Sequence, residues 1–344
     1  MSVISVFSSK RTAVAAAMAI VWSVSVMAAP AKMQAIVQVG AGAGATLQLQ
    51  TVDTPKPAAG QVLIKVHAAG VNPVDWKRRL NSQAAASGAA PTIPGFDAAG
   101  VIDSVGSGVT NWRAGDAVFA RVSGSYAEYA VAAADDAAAK PRSFTYEQAA
   151  GVPVAGVAAY RAAEEANIKT GQRVAVIGAA GGAGSVAVAI AKAKGAKVIA
   201  SGHSSQQAYL KALGVDDFVA YDKENVAARI RDVDAVLNMV EGQAEPALAY
   251  IHKGGYLTSI AGGPSAEKCA AAGISCVTIG PGYNRTSQGE ALRALAELAN
   301  QGSYKVTVSK TFPLAQATAA QELNRAGDTT GKIILTIDPQ SGRR

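Results

Sequence analysis

The residues with the clearest chemical meaning are seven small ones in a row: Gly178, Ala179, Ala180, Gly181, Gly182, Ala183 and Gly184. Such a run lets the chain turn tightly, lets the backbone approach a pyrophosphate and lets a helix pack close to a strand. The helix that follows offers unpaired N–H groups and the positive end of its dipole to phosphates. The chemistry is dinucleotide binding.

The flanks support that reading. Residues 173–177 are β-branched and small apolar, as in a buried strand. After the turn, apolar side chains recur at Val186, Ile190 and Ala193, with Lys192 and Lys194 on the wetter side, so the spacing predicts a helix. Residues 197–201 form a second strand. The result is a βαβ unit of about 30 residues, the setting in which a glycine turn means dinucleotide binding. The end of that second strand decides the cofactor. An NAD site usually places Asp or Glu about 20 residues beyond the turn for the ribose hydroxyl. Here Ser201, Gly202, His203, Ser204 and Ser205 stand there, and the first carboxylate is Asp216. Nothing in this run repels a 2′-phosphate, and hydroxyls and an imidazole are available to bind it. The expected cofactor is NADP(H), although no Arg or Lys stands at the turn.

These residues must be positioned by a chain of 344 residues, which suits two domains. The abundance of Ala and Gly suits close-packed helices on a parallel sheet and argues against disorder. The formal charge of +7 is spread without a basic run, which excludes a nucleic-acid partner and is compatible with an anionic cofactor. Lys10 and Arg11 precede a polarity-poor run at 12–27, and Val26, Met27 and Ala28 form a small-residue cleavage pattern. Residues 1–28 are read as a secretory signal peptide, implying an exported, periplasmic protein with no membrane attachment after cleavage. A retained anchor is the alternative, and a cytoplasmic protein follows if the segment is not a functional signal. Cys269 and Cys276 stay open between a disulfide closing a small loop and two unpaired small hydrophobes.

Alternating strands are expected at 33–39, 47–52 and 61–68. Pro73 then forces an extended backbone at Asn72, with a helix starting just after it. Asn72 either faces a ligand or caps that helix. Glycine-punctuated strands fill 92–131, giving a barrel-like β domain. One helix is expected at 145–165, and further helices at 206–213, 225–231 and 245–252. Strands at 218–221, 235–240 and 256–261 complete a doubly wound parallel sheet. A helix at 290–300, a strand at 307–312, a helix at 314–326 and a strand at 332–337 follow, and the last strand is expected to rejoin the first domain.

Several motifs occur in an order that resembles the medium-chain dehydrogenase/reductase superfamily, in its zinc-independent quinone oxidoreductase branch. They are GVNPVDWK at 70–77, IPGFDAAGVIDSVGSGV at 93–109, GDAVF at 115–119, SYAEYA at 125–130, EQAAGVPVAGVAAYRA at 147–162, GAAGGAG at 178–184 and GKIIL at 331–335. The resemblance implies an α/β fold, with a GroES-like β-barrel catalytic domain at 33–150 completed by 284–340. A Rossmann NADP-binding domain at 151–283 would interrupt it, with the active site between them. It implies metal-free hydride transfer from NADPH to a small hydrophobic carbonyl compound, such as a quinone or enone, and a homodimer. Zinc-dependent relatives place a cysteine where Asn72 stands and Gly-His-Glu where Gly95, Phe96 and Asp97 stand, so no metal ligands are expected.

By the same resemblance Asn72 lies beside the nicotinamide and Tyr221 near the adenosine phosphate, while Ser201 and Ser204 line the cofactor end. Tyr126 is either a hydrogen-bond donor in the cleft or a packed strand tyrosine, and Asp75 orients the Asn72 loop. Trp76, Phe96, Tyr126 and residues 280–283 are expected to line the pocket. Ala158 and Asn238 depart from the threonine and aspartate common in relatives. A non-catalytic nucleotide- or ligand-binding protein of the same fold is the alternative.

Overall fold

The computed structural model describes residues 29–83, 91–280, 283–327 and 329–337. The expected signal segment at 1–28 lies outside them. The first part of the chain forms β1 (Lys32–Val39), β2 (Thr46–Asp53), β3 (Gln61–Val71), α1 (Pro73–Leu80), β4 (Asp97–Val105), β5 (Ala117–Arg121), β6 (Tyr129–Ala133), β7 (Ala137–Ala139), α2 (Tyr146–Ala150) and α3 (Ala155–Glu165). Then come β8 (Arg173–Ile177), α4 (Gly182–Ala193), β9 (Lys197–Gly202), α5 (Gln207–Ala212), β10 (Asp217–Ala220), α6 (Val226–Arg229), β11 (Val233–Asn238), β12 (Ile251–Ser259), α7 (Ala266–Ala272) and β13 (Ser275–Thr278). The chain closes with α8 (Gln288–Asn300), β14 (Val308–Pro313), α9 (Ala317–Ala326) and β15 (Lys332–Thr336).

Six strands make a parallel sheet in the order β10-β9-β8-β11-β12-β13. This is the Rossmann order, with the reversal between β8 and β11 marking the crevice where dinucleotides bind. The strands read as near-continuous apolar runs, as expected where helices cover both faces: Val174, Ala175, Val176 and Ile177 are all buried. Val186, Ile190 and Ala191 of α4 pack with Val174 and Val176 in one core that α3 and α8 share.

The second sheet has seven strands, in the order β14-β15-β3-β4-β5-β7 with β6 on β3. It belongs to the GroES-like domain. β15 pairs antiparallel with β3, matching Ile333 to Val71, so the last strand does return to the first part of the chain.

Two expected helices come out differently. The run at 145–165 is broken into α2 and α3 around Gly151 and Pro153. Proline cannot donate a backbone bond and disfavours helix in the residue before it, so the break falls there. The helix expected at 245–252 is a short 3-10 turn, Pro246–Tyr250, and His252 already lies in β12. Pairing of Ile251 with Val233 of β11 overrides the weak helical pattern.

Candidate active site

The glycine turn begins where β8 ends. Gly178 takes a left-handed φ of 76°, and α4 starts at Gly182 after an extended Gly181. A Cβ on Gly184 would collide with the Gly178 carbonyl oxygen, so this contact between turn and helix requires glycine. At Gly181 the nearest atom to an added Cβ is the Gly178 oxygen at 3.5 Å, which leaves room on the outer side of the turn. The first-turn N–H groups of α4 have no acceptor within the helix. A small-residue cradle with open backbone donors fits a pyrophosphate.

The turn is seated from two sides. Ala179 N–H donates to the Ser201 carbonyl of β9 at 3.2 Å, and Gly331 N–H donates to the Ala180 carbonyl at 2.9 Å. The stem of Lys332 lies against Gly182. Its Nζ donates to the Val71 carbonyl at 3.1 Å and to Asn72 Oδ1 at 2.5 Å. One residue at the head of β15 therefore joins the cradle to the β3–α1 junction.

At that junction Pro73 opens α1 and holds Asn72 extended, at φ −133° and ψ 156°. Asn72 Nδ2 donates to Asp97 Oδ2 at 2.8 Å, and its backbone N–H donates to Asp75 Oδ2 at 2.8 Å. Tyr126 donates its hydroxyl proton to the same Asp75 oxygen, also at 2.8 Å. Asp97 also accepts the Val154 N–H at 2.7 Å on Oδ1, and its Oδ2 lies 3.5 Å from Lys332 Nζ. The break between α2 and α3 is what frees the Val154 N–H to reach it. Asn72, Asp75, Tyr126, Asp97 and Lys332 are all buried, at 5% exposure or less.

Burial sets the electrostatics. Desolvation pushes the Asp75 carboxyl up to about 7, against the opposing bonds from Asn72 N–H and Tyr126. Asp97 is also raised by burial, with Lys332 pulling the other way. The Tyr126 phenol is held well above its ordinary value, first by burial and then by Asp75, so it stays a neutral donor. A buried ammonium between Asn72 and Asp97 supplies the positive charge of this cluster, and the donor set of one amide, one carboxylate and that ammonium does not fit a metal ion. Among the described residues no three His, Cys, Asp or Glu side chains converge.

The other expected residues divide. Tyr126 is fully buried, and its hydroxyl donates to Asp75. Ser201 is buried at the end of β9, Ser204 follows it on the surface, and Tyr221 is 57% exposed beside the His203 ring. Asp216 lies at the opposite end of β9, bonded to Lys192 and to Val198 N–H, and so cannot serve a ribose.

The residues expected to line the pocket each have a partner. The Trp76 indole donates to Asn324, the Phe96 ring packs under Arg78, and the Tyr283 hydroxyl donates to Glu165, while Pro281 and Gly282 lie outside the described residues. Asn238 turns to the Val240 carbonyl and to Ser259. Cys269 and Cys276 are joined by a disulfide that ties α7 to β13.

Sequence reasoning passed over Lys332 and Asp222. Lys332 had a visible signal, a single lysine heading the apolar strand KIIL. The carboxylate of Asp222 accepts both Ser204 N–H and Ser204 Oγ–H at 2.7 Å, a contact set only by the pairing of β9 with β10.

Residues 58–166 match the alcohol dehydrogenase GroES-like domain, and residues 213–335 match the family described as zinc-binding dehydrogenase. The chain is 32% identical over 323 residues to a 2-methylene-furan-3-one reductase of Solanum lycopersicum, covering 89% of this chain and 79% of that protein. The chain belongs to the medium-chain dehydrogenase/reductase superfamily, in its quinone oxidoreductase-like branch. Within that superfamily it is also 32% identical over 323 residues to an NADPH-dependent alkenal/one oxidoreductase of Arabidopsis thaliana, again covering 89% of this chain and 80% of the relative. Among solved structures, the quinone oxidoreductase of Coxiella burnetii superposes with a TM-score of 0.78 at 30% identity, covering 89% of this chain and all of that one. The superfamily's cofactor is a nicotinamide dinucleotide, the group the cradle at 178–184 fits.

Proposed function

We propose that the chain is a metal-independent, nicotinamide-dependent reductase that delivers hydride to a quinone or an α,β-unsaturated carbonyl compound. The observation that carries the reading is the seam at Gly331 and Lys332, which fastens the pyrophosphate cradle directly to Asn72. The names of the tomato and Arabidopsis relatives, an enone-type reductase and an NADPH-dependent alkenal/one oxidoreductase, support the acceptor class. The name of the latter and the absence of an acidic residue at the end of β9 itself support the phosphorylated cofactor, NADP(H). The domain limits that go with this reading are 33–150 with 284–340 for the catalytic part and 151–283 for the dinucleotide part.

When bound, the dinucleotide would supply the hydride that, with one proton from solvent, saturates an enone at its β-carbon or converts a quinone to the hydroquinone. The chain's part is alignment and charge control. Gly178, Ala179, Ala180, Gly181, Gly182, Ala183 and Gly184 hold the pyrophosphate, while Ser201, Ser204 and Tyr221 border the adenosine end. Asn72 presents the amide N–H that it does not give to Asp97, a donor for the nicotinamide side of the cleft or for the developing oxyanion. Asp75 and Tyr126 fix the Asn72 backbone, which makes Tyr126 a positioning residue.

Export as a periplasmic protein accords with the disulfide, since such bonds persist in oxidising compartments. Among the described residues no helix is long and apolar enough to cross a membrane. A homodimer is part of the proposal. The test is oxidation of reduced nicotinamide by the purified chain with 1,4-benzoquinone and with a simple enone. Turnover supports the reductase. Nucleotide binding without turnover across a panel of acceptors would replace it with a binding protein of the same fold.

A further inference from the structure

The amide of Asn72 is held at both ends by charged partners. Oδ1 accepts from Lys332 Nζ at 2.5 Å, and one Nδ2 hydrogen goes to Asp97 Oδ2 at 2.8 Å. An amide carries two N–H donors, so a single N–H is left for a ligand. Lys332 is itself fixed along its length. Gly331 before it takes a φ of 85° hard against the Thr307 carbonyl, a place only glycine fills, and Lys332 N–H donates to that same carbonyl at 2.8 Å. The lysine stem lies against Gly151 and Gly182, and Nζ also donates to the Val71 carbonyl at 3.1 Å.

We propose that Lys332 is a positioning residue for hydride transfer: its ammonium fixes which way round the Asn72 amide sits and strengthens the free N–H as a donor to the acceptor's developing oxyanion. The proposal rests on the reductase reading above. A flipped amide would turn its N–H groups on the ammonium and its carbonyl oxygen on the Asp97 carboxylate, so both neighbours reject it. A cation on Oδ1 also draws electron density out of the amide, and hydrogen bonds in such a chain polarise one another. A second effect is electrostatic. Hydride transfer places negative charge on the acceptor oxygen, and Asp97 already carries one beyond the same amide; Lys332, 3.5 Å from Asp97 Oδ2, offsets it. The ammonium does this through Asn72, since its own bonds go to Val71 and to the amide.

The full chain, saturated with NADPH, is mixed with a simple enone, and the single-turnover rate constant of nicotinamide oxidation is read. That constant does not depend on how much of the sample is folded. Lys332→Met keeps the stem against Gly182 and removes the charge, and is expected to slow the step about tenfold to a hundredfold with NADPH affinity unchanged. Lys332→Met with Asp97→Asn removes both buried charges, which keeps the test open if the single variant is too unstable to assay, and is expected to be slow as well. In an Asn72→Ala background, Lys332→Met is expected to cost little further, because the group it acts through is gone. A rate constant unchanged in both Lys332 variants overturns the role, as does a loss that multiplies undiminished with that of Asn72→Ala. Weaker NADPH binding at an unchanged rate constant overturns it too, by moving the free N–H to the cofactor. A wild type that binds NADPH and oxidises it with no acceptor overturns the reductase reading, and the role falls with it.

Discussion

Two polar constellations flank the glycine turn, and they are built on opposite principles. At the β3–α1 junction, Asn72, Asp75, Asp97, Tyr126 and Lys332 lie buried and answer one another in a closed set of bonds. At the end of β9, His203, Ser204, Asp222 and Lys223 form a cluster open to water. Removing one member from the first set strands a charge in a low-dielectric interior, and removing one from the second lets water take its place. The buried set therefore fixes geometry, and the open set tolerates substitution at little cost to the fold.

The sharpest way to break this contrast is Lys332→Met. It leaves Asp97 buried with Asn72 and Val154 N–H but no cation, and the expected loss is on the order of 3–5 kcal/mol in chemical denaturation. Asp222→Asn at the open cluster is expected to change stability by less than about 0.5 kcal/mol in the same experiment. Comparable losses at the two sites would erase the distinction.

A second effect of the buried set concerns pH. Burial raises the folded-state pKa of Asp75 from 3.8 to about 7, so the folded chain holds a proton that the unfolded chain releases between those values. The stability this contributes is full below about pH 4 and is lost as pH rises through 7. Asp75→Asn is expected to flatten that part of a stability–pH curve measured by urea melts. An unchanged slope would assign the pH dependence elsewhere.

Smaller again is the disulfide between Cys269 and Cys276, which closes a loop only seven residues apart in sequence. Short loops recover little entropy, so Cys269→Ser with Cys276→Ser is expected to cost about 2 kcal/mol, read as a lower midpoint in thermal unfolding. The smallest effect belongs to the exposed pair Lys77–Glu241, which links α1 to the segment after β11. Glu241→Gln is expected to change stability by about 0.5 kcal/mol or less in a denaturant titration.

What could be read from the sequence was local. The turn at 178–184 and the strands and helix around it are set by residues within one βαβ unit, and their spacing carries the signal. The split at Pro153 was visible in the residue itself, yet the apolar pattern on both sides masked it. The buried cluster needed distant parts of the chain: Asn72 meets Asp97 through the β3–β4 pairing, and Lys332 reaches both only because β15 returns to β3. Asp222 was hidden for the same reason, since its partner Ser204 is 18 residues away and joined to it only across neighbouring strands. Tyr126 had two readings in sequence, and its partner Asp75, 51 residues away, lay beyond both.

The central claim is hydride transfer across the seam between the cradle and Asn72. Its most direct test uses reduced nicotinamide carrying deuterium at the transferable position, with the purified chain and a simple enone. One deuterium is expected at the β-carbon of the saturated product, seen by mass spectrometry and NMR. A saturated product without that deuterium, or an enone recovered unchanged beside bound nucleotide, would contradict it.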